Sequence, residues 1–183
     1  IGSIKMNWDT YYYNICNSIA SNSKCFSRML GAIIVRNKYI ISTGYNGPPS
    51  DCVHCDDPEY RLSLLNLKSQ DVAYQFQIYS SDEEEKCPRR EMGFTSGTGL
   101  EYCQASHAER NAIYTAARLG HSIDGGTMYL NWIIPCFECC KGIINSGITE
   151  VVVTELKNYE QTGITGRKLL EKANIKFREY NFK

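Results

Sequence analysis

Apolar and polar positions recur with two different periods along this 183-residue chain, and the change of period marks out its elements. Over residues 7–21, Tyr11, Ile15 and Ile19, with Tyr12 beside them, fall at the spacing of a helix with one buried side. Gly31-Ala-Ile-Ile-Val35 is an apolar run of strand length. Tyr39-Ile-Ile-Ser-Thr43 is its hairpin partner across an Asn37-Lys38 turn. Gly44-Tyr-Asn-Gly-Pro-Pro49 gathers turn formers and reads as a loop. Further on, a helix is predicted over 108–119, stopped by Gly120. A strand follows over 127–132, then a helix over 137–144 that ends near Gly147. A β-branched strand over 150–154, a helix over 166–173 and a strand over 175–180 complete the chain. Strands alternating with helices predict an α/β fold with helices packed on a mostly parallel sheet, and the opening hairpin makes that sheet mixed.

Residues 51–104 break the rhythm. They are polar, carry an acidic run at 82–85, and hold Cys52, Cys55, Cys87 and Cys103. A helix fits 59–77, and the rest reads as an inserted loop. The expected organisation is a single domain over 4–183 with this cysteine-containing insertion at about 51–104.

Bulk properties narrow the partners. Lys plus Arg and Asp plus Glu both total 20. A polyanion binder normally shows a basic excess, so no long nucleic acid is expected. No run of 18 apolar residues occurs, so no membrane span is expected. The start of the chain lacks a secretory pattern, and nine cysteines is an odd number. Together these point to thiolates and metal in a reducing, cytoplasmic setting rather than to disulfides.

The chemistry concentrates in two short segments, His107-Ala-Glu109 and Pro135-Cys136-Phe-Glu-Cys139. His107, Cys136 and Cys139 are three zinc-type donors, one short of a tetrahedron; catalytic zinc keeps a position open for water, whereas structural zinc usually takes four protein ligands. Cys136 and Cys139 are three apart at a predicted helix start, so their sulfurs share a side. Pro135 fits that start, and the helix N-terminus favours the thiolate form. His107 also opens a predicted helix, where Glu109 can converge on it as a proton shuttle. Alone, Cys-x-x-Cys could equally be structural zinc or a redox pair, and His-Ala-Glu alone says less; it is the combination that points to catalysis. Cys140 faces away and reads as a small buried residue, as does Cys16 on the first helix. A second set, Cys25, Cys55, Cys87 and Cys103, could form a closed structural zinc site stapling the insertion, with Cys52 and His54 as spare donors. The alternative for these four is free or partly buried thiols.

His-x-Glu with Pro-Cys-x-x-Cys is the mark of zinc nucleobase deaminases. The chain resembles the deoxycytidylate (dCMP) deaminases of the cytidine deaminase-like superfamily over nearly its whole length. The resemblance runs from Ser23-Lys-Cys25 through Gly31-Ala-Ile-Ile-Val35 and Thr43-Gly-Tyr-Asn-Gly-Pro48 to the two zinc segments. It implies a three-layer αβα sandwich with a five-stranded mixed sheet. It implies hydrolysis of dCMP to dUMP and ammonia, supplying the thymidylate precursor, with catalytic zinc on His107, Cys136 and Cys139 and Glu109 as the proton carrier. Asn46, Ala108 and Tyr159 match substrate-binding positions, and Arg118 matches an arginine near an effector. Cys87-Pro-Arg and Gly97-Thr-Gly-Leu100 with Cys103 resemble the branch carrying a second, cysteine-bound zinc. Members are often homo-oligomers, commonly hexamers, activated by dCTP and inhibited by dTTP with Mg2+ accompanying the effector. The chain departs from the pattern at Trp132-Ile133-Ile134, which is bulkier than the usual approach to Pro135, and at Met29, where some members carry a basic residue.

Other readings stay open on the residues alone. They are a deaminase acting on dCTP, cytidine or a tRNA adenosine, and a non-catalytic module binding zinc and nucleotides. The zero net charge argues against tRNA. An intact Glu109 argues against a module without chemistry.

Overall fold

A computed structural model describes residues 7–60, 63, 87–95, 97–160 and 163–183. They form two compact units. The first comprises 7–23, 30–46, 107–160 and 163–183, and the second 24–29, 47–60, 63, 87–95 and 97–106.

The first unit is built on five strands: β1 (Gly31–Arg36), β2 (Tyr39–Tyr45), β3 (Thr127–Leu130), β4 (Glu150–Val153) and β5 (Lys176–Glu179). Their spatial order is β2-β1-β3-β4-β5. β1 runs antiparallel to both β2 and β3, while β3, β4 and β5 are mutually parallel. The sheet is therefore mixed, as expected. Asn37 and Lys38 both adopt positive φ, 51° and 67°. That is the geometry of a two-residue hairpin turn matched to strand twist. A register shift between Ile34 and Val35 kinks the hairpin.

The strand alternation sorts side chains onto two faces. Ile33, Val35, Tyr129 and Val152 pack with Tyr12 and Cys16 of α1 (Trp8–Ala20) and with Tyr180. Ala32, Ile34, Met128, Leu130, Val151 and Val153 face the other way. There they meet Ala108, Ala112 and Ala116 of α3 (Ala108–Leu119), Cys140 and Ile143 of α4 (Phe137–Asn145), and Leu170 of α5 (Gly166–Lys172). One helix on one face and three on the other make the three-layer αβα arrangement. Two glycines permit the closest approaches. A Cβ on Gly31 would lie 2.1 Å from the Cys16 carbonyl oxygen of α1, and one on Gly44 would lie 2.3 Å from the Ala112 nitrogen of α3.

An ionic tie closes the edge. Arg178 of β5 donates from Nη1 and Nη2 to both carboxylate oxygens of Asp9, at 2.6 and 3.1 Å, and from Nε to Glu150 at 3.0 Å. The Asn181 N–H adds a 2.7 Å bond to Asp9. Burial alone would raise the Asp9 pKa, but the Arg178 hydrogen bond, the Asn181 N–H and the Arg178 charge together hold it below its ordinary value.

The second unit contains the short helix α2 (Pro88–Glu91). Arg89 is buried there and its guanidinium donates to the carbonyls of Thr95, at 3.1 Å, and Thr98. Phe94 and Tyr102 stack, and Tyr60 donates to the Tyr102 carbonyl at 3.1 Å. Of the helix expected over 59–77, residues 59, 60 and 63 are helical. The remainder, like the acidic run 82–85, lies outside the described residues.

Two boundaries differ from expectation by two residues. β2 runs two residues further, through Gly44 and Tyr45, because both still pair with β1. β3 stops at Leu130 rather than 132. Asn131 turns its side chain to accept the Gly31 N–H at 2.8 Å, and the chain bends so that Ile134 donates to the Lys157 carbonyl at 3.2 Å. The bulky Trp132-Ile133-Ile134 approach is thus partly core, with Ile134 fully buried. No described helix is long and apolar enough to cross a membrane.

Candidate active site

The first turns of α3 and α4 converge on one point. His107 is the N-cap of α3 and Cys136 the N-cap of α4, and neither side chain makes a capping hydrogen bond. Both are free to face the site instead. His107 Nδ1 lies 3.4 Å from Cys136 Sγ and 3.3 Å from Cys139 Sγ. All three donor atoms lie within 4.8 Å of one another, and among the described residues this is the one such group of three or more His, Cys, Asp or Glu side chains. Two sulfurs and one imidazole nitrogen at this spacing are a donor set suited to zinc with a position left open.

The electrostatics agree with that chemistry. The hydrogen bond from Cys139 is the largest influence on Cys136; with help from His107 it outweighs burial and holds the Cys136 thiol down to about 4. The same bond, then burial and the Glu109 charge, push the Cys139 thiol up. Cys136 thus favours the thiolate and Cys139 the thiol, whose proton a divalent cation would displace on binding. His107 is raised by its contact with Cys136, against burial, and by Glu109. Glu109, on the first turn of α3, is 8% exposed. Burial raises its pKa, only partly offset by His107 and by its own backbone N–H. A buried carboxyl with a raised pKa is suited to accepting a proton and returning it.

α3 is held in place by polar ties as well as by the Gly44 contact. Ser42 Oγ donates to the Ala112 carbonyl at 2.6 Å, and Asn111 Nδ2 to the Tyr45 carbonyl at 2.8 Å. Ala108 is fully buried at the helix start. Tyr159 stands with its ring centroid 6.3 Å from that of His107. Asn46 is 7% exposed; its Oδ1 accepts the Leu30 N–H at 2.7 Å, and its backbone pairs with Leu30 and Ser23. Asn46 therefore holds local backbone, whatever else it does. Arg118 lies on the exposed last turn of α3. Met29 is solvent-facing. Cys16 and Cys140 are buried, as expected, and burial raises both thiols, Cys16 to about 12.

Sequence reasoning missed two groups. The charge of Arg110, on the first turn of α3, lowers the pKa values of Glu109, His107 and Cys139. Glu160 accepts the Phe137 N–H at the start of α4. A helix opening on a cysteine without a capping side chain was the available hint for Glu160.

In the second unit, Cys55 and Cys103 lie within electrostatic reach of each other and of Cys25 and Cys87, but no three of these four sulfurs stand close enough to form a metal-holding group. Burial is the largest cause that pushes Cys55 up to about 12, followed by the charges of Cys103, Cys25 and Cys87. Burial likewise raises Cys103, with Cys25 and Cys87 adding to it and Arg89 opposing. Cys52 is exposed.

The profile of the "Cytidine and deoxycytidylate deaminase zinc-binding region" family matches residues 6–155. The chain belongs to this deaminase family. The deoxycytidylate deaminase of enterobacteria phage T2 is 34% identical over 148 residues, covering 79% of this chain and 78% of the phage protein. The Saccharomyces cerevisiae deoxycytidylate deaminase is 28% identical over 181 residues, covering 98% of this chain and 46% of the yeast protein. The crystal structure of dCMP deaminase from cyanophage S-TIM5 in complex with dCMP and dUMP shares the fold of this deaminase, with a TM-score of 0.61 and 22% identity, covering 92% of this chain and 93% of that one.

Proposed function

We propose that this chain is a zinc-dependent dCMP deaminase, converting dCMP and water to dUMP and ammonia and so supplying the thymidylate precursor. The observation that carries the reading is the convergence of His107, Cys136 and Cys139 beside the buried carboxyl of Glu109. Membership of a zinc-binding deaminase family and the names of its relatives support dCMP as substrate.

In this reading His107, Cys136 and Cys139 hold the zinc. Zinc bound there supplies an activated water nucleophile near neutral pH. Glu109 accepts the proton that the water loses, passes it to the ring nitrogen beside the attacked carbon, and helps protonate the departing amine. Its burial excludes bulk water and keeps that proton local. Tyr159, Ala108 and Asn46 would line the nucleotide side, and the nearness of the Tyr159 ring to His107 supports a role for it beside the base. A second zinc would draw together Cys25, Cys55, Cys87 and Cys103, whose influence on Cys55 and Cys103 supports a common site; the Arg89 charge favours the Cys103 thiolate. Regulation by dCTP and dTTP with Mg2+ would act near Arg118. Tyr114 and Leu119, exposed on α3, fit a homo-oligomer. Nine cysteines outside any disulfide fit a reducing compartment.

The test is ammonia release from dCMP, dCTP, CMP, cytidine, deoxycytidine and adenosine, with Glu109→Gln alongside. The variant should keep its zinc and lose more than about 10²-fold in turnover, since glutamine preserves shape and removes the base. Near-parental turnover by that variant would exclude Glu109 as the proton carrier. Equal efficiency of the parent on deoxycytidine and dCMP would make it a nucleoside enzyme.

A further inference from the structure

We propose that Glu160 is a positioning residue for the metal-binding turn: its single carboxylate clamps the first residues of α4 and α5 and so fixes Cys136 and Cys139. The inference rests on the reading that these cysteines hold zinc.

A helix start leaves N–H groups without partners inside the helix. α1 and α5 meet this locally, through the side chains of Asn7 and Thr165. α4 does not, because Cys136 occupies its N-cap and makes no capping bond. A sulfur committed to a metal cannot also cap. The missing acceptor arrives from 24 positions further along the chain. Glu160 Oε1 accepts the N–H of Phe137, the first residue of α4. Its other oxygen, Oε2, accepts the N–H of Gly166, the first residue of α5, at 3.0 Å. The two starts are also in direct contact. A Cβ on Gly166 would stand 2.2 Å from the Pro135 carbonyl oxygen and 2.9 Å from Cys140 Sγ. α5 therefore presses on the Pro135-Cys136 backbone, and Glu160 bonds both sides of that contact.

The residue type is matched to the task. A carboxylate offers two acceptor oxygens, whereas glutamine offers one and turns a donor toward the second N–H. An ionised acceptor forms bonds roughly twice as strong as a neutral one. Negative charge is also favoured at both helix N-termini. Glu160 directly follows Tyr159, so the clamp fixes the backbone from which that ring approaches His107.

The experiment compares holoenzyme of the parent, Glu160→Gln, Glu160→Asp and Thr165→Ala. Zinc transfer to 4-(2-pyridylazo)resorcinol is timed, and cobalt(II)-substituted samples give the thiolate charge-transfer and d–d bands. Loss of a group that orients a ligand typically costs about 10–100-fold in metal affinity. Glu160→Gln should release zinc faster by that order and shift the cobalt bands, with parental far-UV circular dichroism. Thr165→Ala removes only the cap of α5, so it should melt earlier yet release zinc at the parental rate. Parental release and parental cobalt bands in Glu160→Gln overturn the proposal, as does release from Thr165→Ala as fast as from Glu160→Gln. If Glu160→Gln does not fold, Glu160→Asp decides: it keeps the charge but cannot span both N–H groups, so faster release supports the clamp and parental release overturns it. A parent whose cobalt form shows no thiolate band overturns the zinc assignment itself and the clamp with it.

Discussion

Replacing Gly44 with alanine tests whether backbone contact with β2 seats the helix that carries Glu109. The new Cβ would lie 2.3 Å from the Ala112 nitrogen, 2.5 Å from the Ala108 carbonyl oxygen and 2.8 Å from the Asn111 carbonyl carbon. All three are backbone atoms, so no side chain can swing aside. Restoring ordinary contact near 3.4 Å requires α3 to retreat by about 1 Å, which breaks or stretches the Ser42 and Asn111 ties. Overpacking of this kind costs about 1–3 kcal/mol. In a chain of this size that lowers Tm by roughly 2–12 °C. A displacement of about 1 Å at a catalytic group costs on the order of 10²-fold in rate. The assay is kcat/KM on dCMP, read with Tm and zinc content on the same preparation. The expected result is a folded, zinc-loaded variant with both quantities reduced. A variant with parental Tm and parental kcat/KM would show that α3 is positioned by something other than this contact.

Asp9→Asn should cost about 1–3 kcal/mol at pH 7, discounted because the Arg178 side chain is 40% exposed. The Asp9 pKa is lowered on folding, so its contribution is full above the unfolded value near 3.9 and disappears as pH falls through the lower folded value. The Tm gap between parent and variant should therefore close below about pH 4; a gap that widens there contradicts the assignment. Metal analysis should give about two zincs per chain, and Cys87→Ser with Cys103→Ser should lose one of them together with thermal stability. One zinc in the parent, unchanged in that variant, would remove the second site. Asn46→Ala should lower kcat/KM for dCMP more than for deoxycytidine, and should also cost about 1–3 kcal/mol by leaving the Leu30 N–H unpaired. Equal losses on both substrates would assign Asn46 to local structure alone.

The parts of the molecule legible in sequence were those encoded locally. The strand faces follow from alternation in Gly31-Ala-Ile-Ile-Val35, and the hairpin from the turn at Asn37-Lys38. The converging donors were legible because each lies at a helix start with its neighbours in a short motif. What escaped was set by partners distant in the chain. Asp9 and Arg178 are paired 169 positions apart, and no local pattern announces them. The early end of β3 depends on the Asn131 side chain replacing a strand bond to Gly31. Glu160 sits in no motif, and its role rests on two N–H partners, one 23 positions before it and one 6 after. Asn46 was read as a ligand contact, and its bond to Leu30 adds a structural role that spacing could not reveal.

The position of β1 between two antiparallel neighbours, β2 and β3, bears on how the chain is made. Its partner on one side, β2, follows within a few residues, but on the other side Val35 must wait for Thr127. At about 5–20 residues per second of synthesis, a gap of roughly ninety residues leaves that apolar edge unpaired for some seconds. The long connection adds little to the equilibrium cost, since each doubling of loop length costs only about 0.6 kcal/mol. The penalty falls on time instead. A nascent chain presents Ala-Ile-Ile-Val as an open strand edge while residues 47–106 are translated, the kind of edge that recruits other chains. Yield during expression should thus depend on temperature and on chaperone supply more strongly than the stability of the finished protein would indicate.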